Sequence, residues 1–339
     1  MELKNALEKL LNRQDLTTDE MESVMNQLMG GEASDAQIGG ILSALRMKGE
    51  SIDEVEAAVK VMRKLVTAVA ISDKTHLVDT CGTGGDGANT FNISTASAFV
   101  AAAAGATVAK HGNRSISSSS GSADVLEAAG VNLNLTAGQV SHCVNELGIG
   151  FMFAPAHHSA MKHVIQARKS MGVRTIFNML GPLTNPAGAP AQVIGVYDKA
   201  LGPVFAEVLK RLGSTHVMIV AADDGLDEIS VASKTSVTEL KNGEITEWQI
   251  DPFDYDMDHV DLKKLAVSSA QESLNIIHAV FAGEKGSAHD IVCLNAGASI
   301  YVSGLADSYA DGVILAQKVI AQGLVRQKLH DFIEMTQSF

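Results

Sequence analysis

Apolar residues in the opening of the chain recur at helical spacing, as in Leu3-Leu7-Leu10-Leu11 and Val55-Val59-Met62. Thr17-x-x-Glu20 and Ser51-x-x-Glu54 have the form of capping boxes, and Gly30-Gly31 and Gly49 mark stops. The pattern predicts about four helices over residues 1–72, with no evident chemistry in them. Near His76 the character changes. Short apolar runs (HLVDT, TVAKHG, IGFMF, AQVIGVY, HVMIVAAD) now alternate with helical stretches, as strands of a mostly parallel sheet do. Ser233 to Ile250 reads as a hairpin about Asn242-Gly243, and the tail from Ser268 is helical. The fold class is α/β: a small N-terminal α-helical domain, residues 1–72, plus a larger α/β domain, residues 73–339, with a central mostly parallel sheet. Residues 155–190 hold two helical stretches, end in the GPLTNP turn, and are read as a crossing between the domains.

Composition narrows the function classes. The 339 residues carry a formal net charge of −13, against the basic footprint of a nucleic-acid binder. Hydrophobic residues are 46% and aromatics 4%, so a large core must be built from Ala, Val, Ile, Leu and Met. Cys81, Cys143 and Cys293 form neither a disulfide framework nor a zinc spacing, which fits a reducing cytoplasm. The N-terminus has no signal-peptide core. The longest uncharged stretch, Gly87 to Ala109, has 23 residues, seven of them Ser, Thr or Asn, so no membrane span is expected.

The strongest local signal is Leu77-Val78-Asp79-Thr80-Cys81-Gly82-Thr83-Gly84-Gly85-Asp86-Gly87, a strand running into a glycine-rich loop, with a helix starting near Ser94-Thr95. Loop amides and a helix N-terminus together make an anion site, and phosphate is the natural guest. Gly82, Gly84 and Gly87 match G-x-G-x-x-G, but the helix begins too late and no acidic residue follows at the ribose-binding distance. A P-loop is excluded because no Gly-Lys-Ser or Gly-Lys-Thr is present. Asn92, Ile93, Ser94 and Thr95 open the helix, where their polar groups serve either as caps or as phosphate donors.

Lys110, His111, Gly112, Asn113 and Arg114 sit at a strand's C-terminal end, the edge where open α/β sheets bind ligands. The hydroxyl-rich SISSSSGS follows at residues 115–122 and suits a phosphate cover or a plain surface loop. Asp227 and Glu228 are adjacent hard-oxygen donors of the kind Mg²⁺ takes, although a surface acidic turn looks the same. Arg168, on a predicted helix, offers a guanidinium that could clamp a carboxylate. Cys81 has no nameable base partner and reads as a small loop residue.

Taken in order, Asp79 to Asp86, Asn92 to Thr95, Lys110 to Arg114, Gln166-Ala167-Arg168, Asn178 to Pro186 and Gly225 to Glu228 resemble the anthranilate phosphoribosyltransferase family. The resemblance covers nearly the whole chain. It implies transfer of a phosphoribosyl group from phosphoribosyl pyrophosphate to anthranilate, a step of tryptophan biosynthesis, in a cleft between a helical and an α/β domain. Residue by residue, it implies that the diphosphate meets Gly82, Gly85, Asp86, Thr90, Asn92, Ile93, Ser94 and Thr95. Lys110, Gly112, Arg114, Ser118 and Ser122 complete the phosphoribosyl site. Anthranilate meets Gly82, Asn113 and Arg168, with His111 and His158 nearby; Lys110, Asn113 and Arg168 carry the catalysis. It further implies two Mg²⁺ ions, one carried with the diphosphate at Ser94 and one at Asp227 and Glu228. A cytoplasmic homodimer formed through the helical domain is the family's usual state. Association with an anthranilate synthase component stays open. The competing readings are a pyrimidine nucleoside phosphorylase, which would not need the Asp-Glu pair, and a non-catalytic nucleic-acid-binding relative, which would need a basic groove.

Overall fold

A computed structural model describes residues 1–115 and 120–339. Four helices open the chain: α1 (Leu3–Leu11), α2 (Thr18–Gly30), α3 (Asp35–Lys48) and α4 (Ile52–Leu65). Thr17 and Ser51 are N-caps with both capping-box hydrogen bonds in place, and Gly31 ends α2 in the left-handed conformation at φ 79°. The α/β part then runs β1 (Leu77–Gly82), α5 (Ile93–Ala103), β2 (Thr107–Gly112), α6 (Ser122–Ala128), α7 (Ala137–Leu147), β3 (Ile149–Phe153) and α8 (Ala154–His157). After a 3₁₀ turn come α9 (Ile165–Met171), α10 (Ile176–Leu183), β4 (Ala191–Gly195), α11 (Leu201–Arg211), β5 (His216–Ala222), β6 (Thr235–Lys241) and β7 (Glu244–Ile250). Helices α12 (Ala270–Phe281), α13 (Ser287–Val302), α14 (Tyr309–Ala321) and α15 (Leu324–Gln337) close the chain. Among the described residues, no helix is long and apolar enough to cross a membrane.

The seven strands form one sheet in the order β3-β2-β1-β4-β5-β6-β7. The first five are parallel, and β6 and β7 are antiparallel about Asn242 and Gly243, both at positive φ as a tight hairpin requires. Side chains alternate across the strands and so feed two cores. On one face, Val193, Met218 and Val220 pack with α5, α13 and the C-terminal helices. On the other, Ile194, Val217 and Ile219 join α11 and the residues of α1 to α4. The second core also takes Val164, Ala167, Ile176 and Leu180, because α9 packs on α3 and α10 on α3 and α4.

The GPLTNP segment differs from its reading as a turn. Gly181, Pro182 and Leu183 are the last turn of α10. Proline lacks the N–H that would complete the helical ladder. The last carbonyls of the helix are capped by the Thr184 hydroxyl, which shares its hydrogen between the carbonyl oxygens of Leu180 and Gly181 at 3.0 and 3.1 Å. Asn185 then reaches back to donate to the Ala109 carbonyl of β2 at 2.9 Å.

A buried ion pair ties the opening helices together. The Glu54 carboxylate is fully buried and accepts from Leu16 N at 2.9 Å and from Ser51 N and Lys48 Nζ at 2.8 Å. Removing one partner of such a pair leaves an uncompensated charge. Lys48→Ala should therefore lower the free energy of unfolding by about 3 kcal/mol, read from urea denaturation. A change below about 0.5 kcal/mol would show that the backbone donors alone satisfy Glu54.

Candidate active site

The C-terminal ends of β1, β2, β4 and β5 bring the sequence-marked residues to one edge of the sheet, beside the N-terminus of α5. Gly84, Gly85 and Gly87 all have positive φ, between 67° and 83°, so the loop after β1 folds in a way other residues resist. Gly84 N donates to Asp227 Oδ2 at 2.7 Å. Asp227 comes that close because two strand ends lack side chains. A Cβ on Gly82 would stand 2.7 Å from Asp227 Oδ2, and one on Gly195 would collide with the Asp227 carbonyl.

Glu228 lies beside it and accepts from Ser94 N at 3.2 Å, placing a carboxylate on the positive end of α5. Lys110 Nζ, almost fully buried, donates to the Thr80 carbonyl and to Ser94 Oγ, the latter at 3.2 Å. Three carboxyl groups, Asp86, Asp227 and Glu228, thus converge near a single lysine. Burial, then the charge of Asp86, raises Asp227 to about 7; burial, then the charge of Asp227, raises Glu228 to about 8. Half-buried hard-oxygen donors crowded together, with their pKa values raised by desolvation and by one another, are a donor set suited to Mg²⁺.

The segment after β2 is less uniform than its sequence suggests. Arg114 is half-exposed and is claimed by Asp124 at 3.0 Å and Glu127 at 2.7 Å, which raise its pKa. It is a surface ion-pair member in this structure. Asn113 uses its side-chain oxygen to accept from Arg114 N at 2.8 Å, and its carbonyl accepts from Ser122 Oγ at 3.3 Å. Ser118 falls outside the described residues.

His111 turns away from the surface. Its Nδ1 faces Asp79 Oδ2 at 2.6 Å and its Nε2 faces the Gly181 carbonyl of α10 at 2.9 Å. Two acceptors require two N–H donors, so the ring is an imidazolium. Burial opposes that charge, but the Asp79 carboxylate and the Gly181 carbonyl outweigh it and raise the pKa. Burial likewise opposes the charge on Asp79, and His111 and Lys110 hold it lowered. His158 is the reverse case: burial and then the His111 charge push it down to about 4, leaving it neutral. Cys81 completes a cluster with Asp79 and His111. Its thiol is pushed far up by burial and the Asp79 charge, so it stays protonated.

Arg168 on α9 lies over the Phe177 ring of α10, 5.1 Å from its centroid. Burial alone lowers its pKa, and among the described residues no carboxylate pairs with it. It is a half-buried guanidinium open to an anionic guest.

The start of α5 departs from the capping alternative. Asn92 makes no side-chain cap bond. Its side chain donates to the Ser120 carbonyl at 3.2 Å and accepts from Ser273 Oγ at 2.9 Å, tying the loop to α12. Thr90 is held by a bridge to Ala266, and Ile93 and Thr95 are buried. Sequence reading assigned no role to Asp79, Gly195, Ser273 or Arg174. Arg174 stacks on Tyr197 and donates to the Gly85 carbonyl. A lone arginine in the loop between α9 and α10 and a serine on α12 carry no local pattern that could have found them.

The dyad makes a stability prediction with a definite sign. The raised His111 contribution is fully present below its unfolded value near 6.5 and is lost as pH rises through the higher folded value. From about pH 6 to pH 9, urea midpoints of wild type should fall more steeply than those of His111→Asn. Parallel declines would mean that the ring is not charged in the fold.

The sequence pattern of the glycosyl transferase family a/b domain matches residues 74–325, and that of the family's helical bundle domain matches residues 4–66. The anthranilate phosphoribosyltransferase of Hydrogenovibrio crunogenus is 67% identical over 339 residues, covering 100% of both chains. That of Teredinibacter turnerae is 57% identical over 99% of both. Among solved structures, the Thermus thermophilus anthranilate phosphoribosyltransferase superposes with a TM-score of 0.92 at 39% identity, covering 98% of this chain and 99% of that one. The Saccharomyces cerevisiae enzyme in complex with phosphoribosyl pyrophosphate and Mg gives 0.90 at 26% identity, covering 99% and 98%.

Proposed function

The chain belongs to the anthranilate phosphoribosyltransferase family, and from that premise we propose how its residues divide the reaction. The enzyme transfers the 5-phosphoribosyl group of phosphoribosyl pyrophosphate to the anthranilate amine, giving N-(5-phosphoribosyl)anthranilate and pyrophosphate in tryptophan biosynthesis. The reading of the site rests on one juxtaposition. A half-buried carboxylate and amide cluster lies at the sheet edge, and Arg168, which no carboxylate pairs with among the described residues, lies on α9, one of the helices packed on α3.

The loop of Gly82 to Asp86, with Thr90 and the Asn92 to Thr95 helix start, takes the diphosphate, and Lys110 is its fixed cation. Asn92 contributes by holding the loop, since its own amide is engaged with Ser120 and Ser273. Gly112 and Ser122 line the phosphoribosyl side. Arg114 takes part only if it leaves Asp124 and Glu127. Anthranilate presents its carboxylate to Arg168, and Asn113 orients its ring. Neutral His158 packs beside it without drawing the carboxylate away from Arg168, while His111 acts from behind, through Gly181.

In the reaction the C1–O bond to pyrophosphate breaks with its electron pair on the leaving oxygen. The amine lone pair forms the C1–N bond, and the nitrogen then releases a proton. An aromatic amine is already neutral at pH 7, so the chain supplies no strong base. Its work is to place the amine in line with C1, where orientation is worth about 7–11 kcal/mol, and to surround the leaving group with Lys110 and loop amides. Asp227 and Glu228 would hold Mg²⁺, with Ser94 at a second ion, and the bound metal would neutralise the departing diphosphate. Leu11 and Met47, 67% and 79% exposed on α1 and α3, support a homodimer through the helical face. A cytoplasmic location follows from the biosynthetic role.

Loss of anthranilate fluorescence that requires the protein, phosphoribosyl pyrophosphate and Mg²⁺ tests the reading. A flat trace from folded protein would reject it and turn attention to phosphorolysis of pyrimidine nucleosides. In the same assay, Arg168→Ala should raise the anthranilate KM about 10- to 100-fold, the loss of one charge-assisted contact of about 1.5–3 kcal/mol. An unchanged KM would remove Arg168 from the carboxylate. Asp227→Asn should move the Mg²⁺ titration to higher concentration, and superimposable titrations would take Asp227 out of the metal site.

A further inference from the structure

Three successive residues of the glycine-rich loop are each fixed by a different element. Thr83 N donates to the Gly195 carbonyl at 2.9 Å, at the end of β4. Gly84 N donates to Asp227 Oδ2 at 2.7 Å. The Gly85 carbonyl accepts from Arg174, which lies between α9 and α10. Of the three, only Arg174 comes from the helices packed on α3, and its own carbonyl accepts from Arg46 of α3 at 2.8 Å. The guanidinium lies 3.7 Å from the centroid of Tyr197, and Tyr197 N donates to Thr83 Oγ1 at 3.3 Å. Nothing in the chemistry derived above uses this arginine.

We propose that Arg174 is a positioning residue for the diphosphate loop, acting through the Gly85 carbonyl. The inference rests on the phosphoribosyltransferase reading and deepens it. Gly84 and Gly85 have φ of 67° and 83°, in a region where peptide planes turn over easily in glycine. The carbonyl of Gly85 and the N–H of Asp86 belong to one trans peptide and point in opposite directions. A carbonyl aimed at a diphosphate would repel it. Arg174 takes that carbonyl to its own side and leaves the Asp86 N–H facing the other way. Only a planar guanidinium stacks on Tyr197 and donates at its edge at once, so lysine is a poor replacement. Gly85 must lack a side chain for this contact, since a Cβ there would stand 2.8 Å from Arg174 Nη2.

The test is steady-state kinetics with calorimetric titration of Mg²⁺-pyrophosphate into wild type, Arg174→Ala, Arg174→Lys and Tyr197→Leu. Arg174→Ala should raise the phosphoribosyl pyrophosphate KM and weaken pyrophosphate binding by about tenfold, with the anthranilate KM within about twofold. Arg174→Lys and Tyr197→Leu should fall between it and wild type. Unchanged pyrophosphate binding, or equal rises in both KM values, would overturn the proposal and leave Arg174 a general strap between the helices and the sheet. If Arg174→Ala fails to fold, Arg174→Lys decides by the same ratio. A wild type that consumes no anthranilate marks failure of the functional reading instead.

Discussion

Crowded negative charge at the edge of a parallel sheet governs this molecule. Asp86, Asp227 and Glu228 converge where β1 and β5 end, and Lys110 is a buried cation beside them. Carboxylates do not share so confined a space without cost, so desolvation and mutual repulsion raise the pKa values of Asp227 and Glu228. The remaining features of the edge follow from keeping this cluster in place. Gly82 and Gly195 give up their side chains so that the Asp227 loop can approach, and the N-termini at Ser94 and Gly84 spend their N–H groups on the acids.

The opposite half of the site is made by different means. Its positive groups are held apart from acids or balanced out of sight. Arg168 rests on Phe177, and His111 keeps its charge only because Asp79 and the Gly181 carbonyl flank it. Burial first, and the same charge second, push His158 down to about 4. Because Gly181 belongs to α10, whose apolar face is buried against α3 and α4, the imidazolium also ties β2 to the helical packing.

Much of the fold was legible because its signals are local. The caps at Thr17 and Ser51, the Asn242-Gly243 hairpin and the parallel runs are short patterns whose causes lie within a few residues. The glycine-rich loop after β1 and the adjacent acids Asp227 and Glu228 stood out as local patterns for the same reason. What escaped depended on residues distant in sequence. Asn92 reads as a cap, yet Ser273 on α12 draws its side chain away. Arg114 reads as a phosphate ligand, yet Asp124 and Glu127 on the next helix claim it. Pro182 reads as a turn, yet it lies in the last turn of α10, whose final carbonyls the Thr184 hydroxyl caps. In each case the residue type was right for the local role and a tertiary partner competed for its polar atoms.

The two halves need not be rigidly joined for the chemistry, but their joining is not left to apolar packing alone. Apolar contact is non-directional and tolerates sliding, whereas the amine must meet C1 along one line. Directional bonds therefore run between the sheet and the helices packed on α3: His111 to the Gly181 carbonyl of α10, and Arg174 to the Gly85 carbonyl of the loop after β1. Both end on backbone carbonyls, whose orientation is tied to that of the chain. The carbonyl at Gly85 sits in a flexible glycine turn, and the one at Gly181 in the last turn of a helix. The Gly85 contact accordingly restrains a turn that glycine leaves free to reorient, whereas the Gly181 contact joins a strand and a helix whose backbones are already fixed by their own ladders.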